Sequence, residues 1–230
     1  MIDSLCRPTC FIAAVALLAA AAGGACNSAP PAASPQSGTS PAASASGSAK
    51  APIVGPAIVG AVTVASTKEP PAAGVVYLED APKQPGVAMA ASIDVFHKEF
   101  TPLISVVTTG GAVTFGNRDG LPHHVFSPDI KGWDTGLLLK GQTVPRTLDS
   151  PGAFAFLCNL HPEMISFVLV IPSTYFAKLA ADGTYAITNV PPGTYKATAW
   201  APRIPTVTMP VTVSGTGIAT ANFELRLLDK

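Results

Sequence analysis

The apolar residues of this chain come in short runs separated by turn-forming residues, and no other feature constrains the fold as much. Val, Ile, Thr and Phe dominate these runs, and none keeps an apolar period of 3.6 residues over three turns. Turn formers such as Gly110-Gly111 and Pro191-Pro192-Gly193 stand between them. This pattern is typical of antiparallel strands, so the sequence predicts an all-β chain built from sandwiches. The runs are residues 58–64, 74–78, 103–108, 113–115, 154–158 and 167–171.

The charge balance argues against two classes of binding partner, nucleic acids and anionic membrane surfaces. Fourteen basic and 14 acidic residues give a net charge of zero, and only 12% of the residues are charged. Binding to nucleic acid or to an anionic membrane surface needs a basic field, so we expect neither. Four histidines in the whole chain exclude an oxidase with several histidine-rich metal centres, but leave room for one small metal site.

The N-terminal segment reads as an export signal. Arg7 precedes an apolar run over residues 11–22, which is too short for the roughly 20 residues that span a bilayer. The sequence therefore predicts a signal peptide over residues 1–25 and a location in the periplasm or cell envelope. The run ends in Gly23-Gly24-Ala25-Cys26, which resembles the lipobox of bacterial lipoproteins. A lipid on Cys26 would be the one membrane contact, whereas ordinary cleavage would leave Cys26 as a free thiol.

Composition divides the rest of the chain. In residues 27–52, 22 of 26 residues are Ala, Ser, Pro or Gly, so we expect a disordered tether over 26–56. Leading strands are expected over 57–82. Residues 83–172 hold all the histidines and Cys158, whereas 173–228 contain neither residue type and only Met209 as methionine. We therefore expect two lobes, one with chemistry and one without.

One short segment concentrates the chemistry. Cys158, His161 and Met164 fall within seven residues, directly after an apolar run, so a tight turn can aim all three at one point. His123 lies 35 residues upstream, just before another strand, and a sandwich can bring the two loops together at one end. Two imidazoles, one thiolate and a weak axial thioether form the ligand set of blue-copper electron-transfer sites.

Zinc is the rival metal, but it rarely takes Met, and structural zinc sites usually draw on a second Cys. Cys6 and Cys10 lie in the predicted signal and Cys26 at the start of the tether, so Cys158 has no intramolecular partner. An unpaired thiol in an oxidising compartment is a liability unless a metal occupies it. A Cys158–His161 nucleophilic pair lacks orienting and oxyanion partners, so we expect no enzyme activity.

These residues resemble the cupredoxins, the blue-copper family of plastocyanin, azurin and amicyanin. The spacing C-x2-H-x2-M, with Pro162 after the His, is similar to amicyanin, and the resemblance extends from near His97 to Ile171. It implies a Greek-key sandwich and one type 1 copper ion, with His123, Cys158 and His161 as equatorial ligands and Met164 as the axial ligand. Among exported relatives the chain looks similar to methylamine utilisation proteins. The resemblance also draws on residues 100–102, 106–110, 113–117 and 122–125.

One residue departs from the family pattern. The residue after the first ligand is commonly Asn in cupredoxins, whereas it is His124 here. Neighbouring strand residues face opposite sides, so only one of His123 and His124 can point at the metal. The register of Pro122-His123-His124-Val125 favours His123 as the metal ligand. His124 would then either donate a hydrogen bond to a ligand or face outward as a pH-sensitive group. We assign no role to His97.

The C-terminal segment resembles another module. Residues 182–187 and 196–200, with Pro191-Pro192-Gly193 between them, are expected to form a hairpin, and they resemble the transthyretin-like carboxypeptidase regulatory modules. Such a module begins with a strand pair, and residues 57–82 could supply it. A second sandwich split by insertion of the copper domain is therefore a hypothesis of the sequence, with 57–82 packing on 173–228.

Two functions follow from the ligand set. The first is a monomeric exported carrier that passes single electrons between redox proteins through the solvent-side edge of His161. The alternative is copper storage or delivery, or a structural surface module, without electron transfer. A carrier predicts intense visible absorption from a Cu(II) thiolate, whereas a delivery protein predicts a more exposed site that releases Cu(I) readily.

Overall fold

The structure is a computed structural model that describes residues 53, 55–82, 89–215 and 217–228. The predicted signal peptide, the lipidation site at Cys26 and nearly all of the predicted tether lie outside the described residues. The prediction of an all-β chain is confirmed, because every regular element in the described part of the chain is a strand. No helix there is long and apolar enough to cross a bilayer.

The strands alternate with short turns along the whole described chain. Their bounds are β1 Ala57–Val64, β2 Val75–Leu78, β3 Ala91–Phe96, β4 Glu99–Thr101, β5 Ile104–Thr108, β6 Gly111–Asn117, β7 His123–Phe126, β8 Asp134–Leu138, β9 Thr143–Leu148, β10 Gly152–Cys158, β11 Ile165–Ile171, β12 Phe176–Lys178, β13 Thr184–Thr188, β14 Gly193–Ala201, β15 Ile204–Val213, β16 Ile218–Thr220 and β17 Phe223–Leu225.

Strands β3 to β11 form one sandwich, which we call the metal lobe. Its two sheets have the strand orders β4-β3-β6-β9 and β5-β11-β10-β7-β8. The sheets pack on a buried core that includes Ile93, Phe115, Phe156 and Val168. Most pairs are antiparallel, but β3 with β6 and β5 with β11 are parallel, as strands reached by crossover connections must be.

Strands β1, β2 and β12 to β17 form a second sandwich, which we call the second lobe. Strand β1 pairs with β13, β16 and β17, and β2 pairs with β12 and β14. Gly60 lies where β1 passes from β16 to β17, and a Cβ there would collide with the carbonyl of Ala221. The chain therefore starts the second lobe, builds the metal lobe, and returns to finish the second lobe.

The expected hairpin over residues 182–200 is wrong. Strand β13 pairs with β1 in one sheet, whereas β14 pairs with β2 and β15 in the other. The connection contains Asn189 in the left-handed region and then Pro191-Pro192. Two prolines fix φ and remove two amide donors, so this segment carries the chain across the sandwich rather than back along the same sheet.

The two lobes share a third core along strand β11. Ser166, Val168 and Val170 face the metal lobe, whereas Leu169 and Ile171 join Val75 and Trp200 in the core between the lobes. Strand β11 is therefore apolar on both faces, as a strand buried between two layers must be. The Phe167 and Trp200 rings meet edge to face at 6.0 Å. Lys178 Nζ also donates to the Ile104 carbonyl across the junction at 2.7 Å.

Candidate metal centre

Three donor atoms converge at one end of the metal lobe. Cys158 Sγ lies 3.7 Å from His123 Nδ1 and 3.6 Å from His161 Nδ1, and all three ligand atoms lie within 4.8 Å of one another. Metal bonds of about 2.0–2.1 Å to nitrogen and about 2.3 Å to sulfur, at angles between tetrahedral and trigonal, would hold such atoms roughly 3.6–3.8 Å apart. The spacing of the three donors therefore fits a single ion.

Strand pairing brings the two ligand loops together. Strand β7 begins at His123, β10 ends at Cys158, and the two strands pair through Cys158 and Val125. The Asn159 amide donates to the His124 carbonyl at 2.9 Å, which extends the pairing beyond the strand end. The sheet thus places Nδ1 of His123 beside a thiol that is 35 residues away in sequence.

The turn after Cys158 supplies the third donor and packs Met164. His161 is the first residue of a tight turn that the Met164 amide closes by donating to the His161 carbonyl at 3.1 Å. Met164 is 2% exposed and belongs to the same buried cluster as Cys158. His161 is half-buried, so one imidazole of the centre reaches the surface while the other, on His123, has no exposed area.

The structure separates the two adjacent histidines as strand alternation predicts. His123 lies in the donor cluster, whereas His124 points the other way, with Nε2 3.6 Å from Asp134 Oδ1. That Nε2 atom is buried and has no hydrogen-bond partner. The register of β7 against β8 shifts between His124 and Phe126, but the shift does not bring His124 into the site.

Asp119, which the sequence analysis did not identify, contacts Nε2 of the His123 ring, on the side away from the thiol. Asp119 Oδ2 lies 3.1 Å from His123 Nε2. Burial lowers the pKa of His123 and the hydrogen bond to Asp119 opposes this, so the neutral imidazole that a metal requires is favoured. Burial acts to raise the pKa of Asp119, but hydrogen bonds from the Lys98 and His97 amides and from His123 together lower it. The carboxylate therefore stays ionised.

Asn117 fixes the loop that carries Asp119. Its side-chain oxygen accepts the Asp119 amide at 2.8 Å, and its Nδ2 donates to the carbonyls of Leu121 and Leu138 at 2.8 and 2.9 Å. The sequence signal for this arrangement was an Asn and an Asp two residues apart, with the Asp four residues before a ligand histidine. Such a spacing is common in turns, so it does not by itself single out Asp119.

Aromatic rings fill the metal lobe below the donor cluster. Phe115, Phe156 and Trp133 pack with ring centroids 4.6 to 5.5 Å apart, and Phe156 lies two residues before Cys158 on β10. Rings of this size exclude water from the inner side of the cluster and restrain β10, so the thiol has little freedom to move.

Comparison with known proteins gives partial matches. The family model of polysaccharide lyase family 4, domain II, matches residues 173–221, which lie in the second lobe. No curated protein matches the chain.

Several solved structures are similar to part of the chain. A purple cupredoxin from Nitrosopumilus maritimus is 24% identical, with 35% of this chain and 98% of that chain covered and a TM-score of 0.33. A variant of amicyanin in its Cu(I) form is 23% identical, with 41% and 97% covered and a TM-score of 0.33. The copper-containing nitrite reductase of Thermus scotoductus SA-01 is 22% identical, with 39% of this chain and 25% of that chain covered and a TM-score of 0.33.

The fold of the metal lobe follows from its two sheet orders and from the position of the donor cluster. Two sheets face each other, and the cluster lies where β7 begins and β10 ends, at one end of the sandwich. The metal lobe is a cupredoxin-like β-sandwich. The carboxypeptidase regulatory-like assignment of the second lobe, and the lobe boundaries at 82/83 and 172/173, stay predictions.

Proposed function

We propose that this chain is an exported type 1 copper protein that carries single electrons between redox proteins of the periplasm. The observation that carries the proposal is the cluster of two imidazole nitrogens 3.6–3.7 Å from one thiol sulfur, with Met164 in the same buried core cluster as Cys158. Thiolate and thioether favour Cu(I), and imidazole also accepts Cu(II), so this donor set suits both states of the ion. Copper, when bound, supplies a one-electron couple.

The protein residues contribute rigidity, exclusion of water and a route to the surface. The β7–β10 pairing and the aromatic core fix the ligands, so little rearrangement need accompany a change in the charge of the ion. Asp119 and the burial of His123 keep that side of the site closed. His161, which is half-buried, offers its outer edge to a redox partner.

Export, anchoring and oligomeric state are part of the same proposal. The signal peptide, a lipid on Cys26 and the tether would place the folded lobes at a short distance from a membrane surface. We propose that the folded part acts as a monomer and meets an unidentified redox protein.

Copper titration of the purified exported protein tests this function. We expect one copper ion per chain, intense visible absorption, a type 1 spin-resonance spectrum and a reversible one-electron couple. Cys158→Ser should abolish the visible band, because the band arises from charge transfer between thiolate and Cu(II). A colourless copper-loaded wild-type protein that releases Cu(I) readily would exclude the carrier and support storage or delivery.

A matched pair of methionine variants tests the assignment of Met164. Met164→Leu should raise the reduction potential, because loss of a weak axial donor favours Cu(I). Met209→Leu, in the second lobe, should leave the potential and the spectrum unchanged. Equal behaviour of the two variants would contradict an axial role for Met164.

A further inference from the structure

The turn between β3 and β4 binds the side chain of Asp119. His97 and Lys98 at that turn have φ values of 53° and 58°, in the left-handed region that costs non-glycine residues free energy. Their adjacent amides donate to the Asp119 carboxylate, from His97 to Oδ1 at 2.6 Å and from Lys98 to Oδ2 at 2.8 Å. Successive amides in such a conformation form a concave anion-binding site, and here the anion is a side chain of the protein.

Asp119 is therefore held by three sets of contacts, two to its carboxylate and one to its backbone amide. The two turn amides bind the carboxylate from one side, and the Asp119 amide is held by Asn117 Oδ1. Its Oδ2 atom also faces His123 Nε2 at 3.1 Å, and Asp119 is 8% exposed. A carboxylate needed only to stabilise the turn would have no reason to contact the ring that carries a candidate ligand atom on its opposite side.

We infer that Asp119 is a positioning residue that fixes the orientation and tautomer of His123 for the metal. An ionised carboxylate accepts but cannot donate, so it requires the proton of the neutral imidazole to sit on Nε2. Nδ1 is then the unprotonated nitrogen, and Nδ1 is the atom that lies 3.7 Å from Cys158 Sγ. Partners of this kind orient ligand histidines, raise their basicity and add negative charge near the ion. This inference rests on the proposed copper function.

Asp119→Asn is the informative substitution. The Asn side chain keeps the shape but loses the charge and one acceptor. Where its amide donates to His123 Nε2, it favours the tautomer with the proton on Nδ1, which cannot bind a metal. We expect copper affinity to fall about 10- to 100-fold, as replacing such partners typically does. The reduction potential should rise, because loss of a negative charge near the ion disfavours Cu(II).

Two further variants separate positioning from mere folding. Asp80→Asn removes a carboxylate that accepts the Lys196 amide at 2.8 Å in the second lobe, so it controls for loss of a backbone-capping carboxylate. The variant His97→Gly places a residue that adopts the left-handed region readily in the turn and keeps the charge of Lys98, so the turn forms with less help from Asp119. Neither change should alter copper affinity or the spectrum.

The decisive experiment combines His97→Gly with Asp119→Asn in the full-length exported protein. Affinity is measured by competition with a chromophoric Cu(I) chelator, and the thermal unfolding of the copper-free protein is recorded alongside. We expect the combined variant to recover thermal stability but not copper affinity or potential. Recovery of wild-type affinity and potential would show that Asp119 acts only through the turn and would overturn the inference. Failure of the wild-type protein itself to bind copper would instead refute the proposed function.

Discussion

The two lobes use the same β-sandwich architecture but bury different chemistry. Between its sheets, the second lobe packs side chains such as Ile58, Leu78 and Phe223, and the few polar atoms there belong mainly to tyrosines. The metal lobe buries Asn117, Asp119 and His123 as well as Cys158. Buried polar groups cost free energy unless they are hydrogen-bonded, so a sandwich that keeps several of them keeps them for a purpose. The contrast separates a lobe with a mainly apolar core from a lobe that also holds the donor cluster.

The largest expected effects come from equal truncations in the two cores. Phe115 in the metal lobe and Phe223 in the second lobe are both almost fully buried. Replacing either with Ala should lower the free energy of unfolding by about 3–5 kcal/mol, because each change removes buried apolar area and leaves a cavity. Chemical denaturation measures that loss, and copper titration measures the affinity of what remains folded.

Only Phe115→Ala should also weaken copper binding, because Phe115 packs on Phe156 and so restrains the strand that carries Cys158. Should Phe223→Ala reduce copper affinity equally in folded protein, the division between a stabilising lobe and a ligand-holding lobe would have to be abandoned.

A smaller effect tests the shared core between the lobes. Leu169 is 2% exposed and faces the second lobe from β11, whereas Val168, its neighbour, faces the metal-lobe core. Leu169→Ala should cost about 2–5 kcal/mol. Unfolding should also become less cooperative, with the two lobes melting at separate temperatures. Calorimetry detects this as a van't Hoff enthalpy below the calorimetric one.

The control for Leu169→Ala is Val168→Ala, which should destabilise the metal lobe without uncoupling the lobes. One cooperative transition in both variants would contradict a stabilising contact between the lobes.

The smallest expected effect comes from surface charge. Lys68 and Glu224 form an exposed ion pair in the second lobe, and the hydrogen bond from Lys68 holds the pKa of Glu224 below its ordinary value. A lowered carboxyl pKa contributes stability above the ordinary pKa, and that contribution is lost as pH falls through the lowered value. Lys68→Met should therefore lower the melting temperature slightly near neutral pH and not at all in strong acid.

Arg118→Met is the matching change in the metal lobe, since Arg118 Nε lies 3.2 Å from Asp94 Oδ2 at the surface. Exposed pairs contribute little, and salt should remove most of either effect. A large, salt-insensitive loss in one lobe alone would show that its ion pair is integral to the fold.

Sequence reasoning recovered the parts of the molecule that depend on local pattern. The apolar runs predicted β1, β5 and β11, and the C-x2-H-x2-M spacing brought Cys158 and His161 to one turn. It overlooked β8 and β9, because β9 carries Pro145 and Arg146 and presents only half-buried or exposed residues until Leu148. Such an edge strand has no apolar run to reveal it.

The sequence suggested that 57–82 packs on 173–228, but it could not specify which distant strands pair or which side chains bind backbone amides. Nothing local indicates that β13 pairs with β1, more than 120 residues away, rather than with β14. Asp119 was not identified for a similar reason, since its role depends on the backbone amides of His97 and Lys98, which any residue except proline would supply. The residue type at position 97 did not indicate this contact, because the backbone amide of His97, not its side chain, donates to Asp119.

Strand β11 has a consequence for motion. The side chains of its seven residues point alternately to the two lobes, and its backbone pairs with β10, the strand that ends at Cys158. A hinge between the lobes would have to expose Leu169 and Ile171, the apolar side chains that β11 presents to the second lobe, so the shared core opposes independent motion of the two lobes. A protein that binds the second lobe would therefore also restrict the orientation in which His161 meets a redox partner.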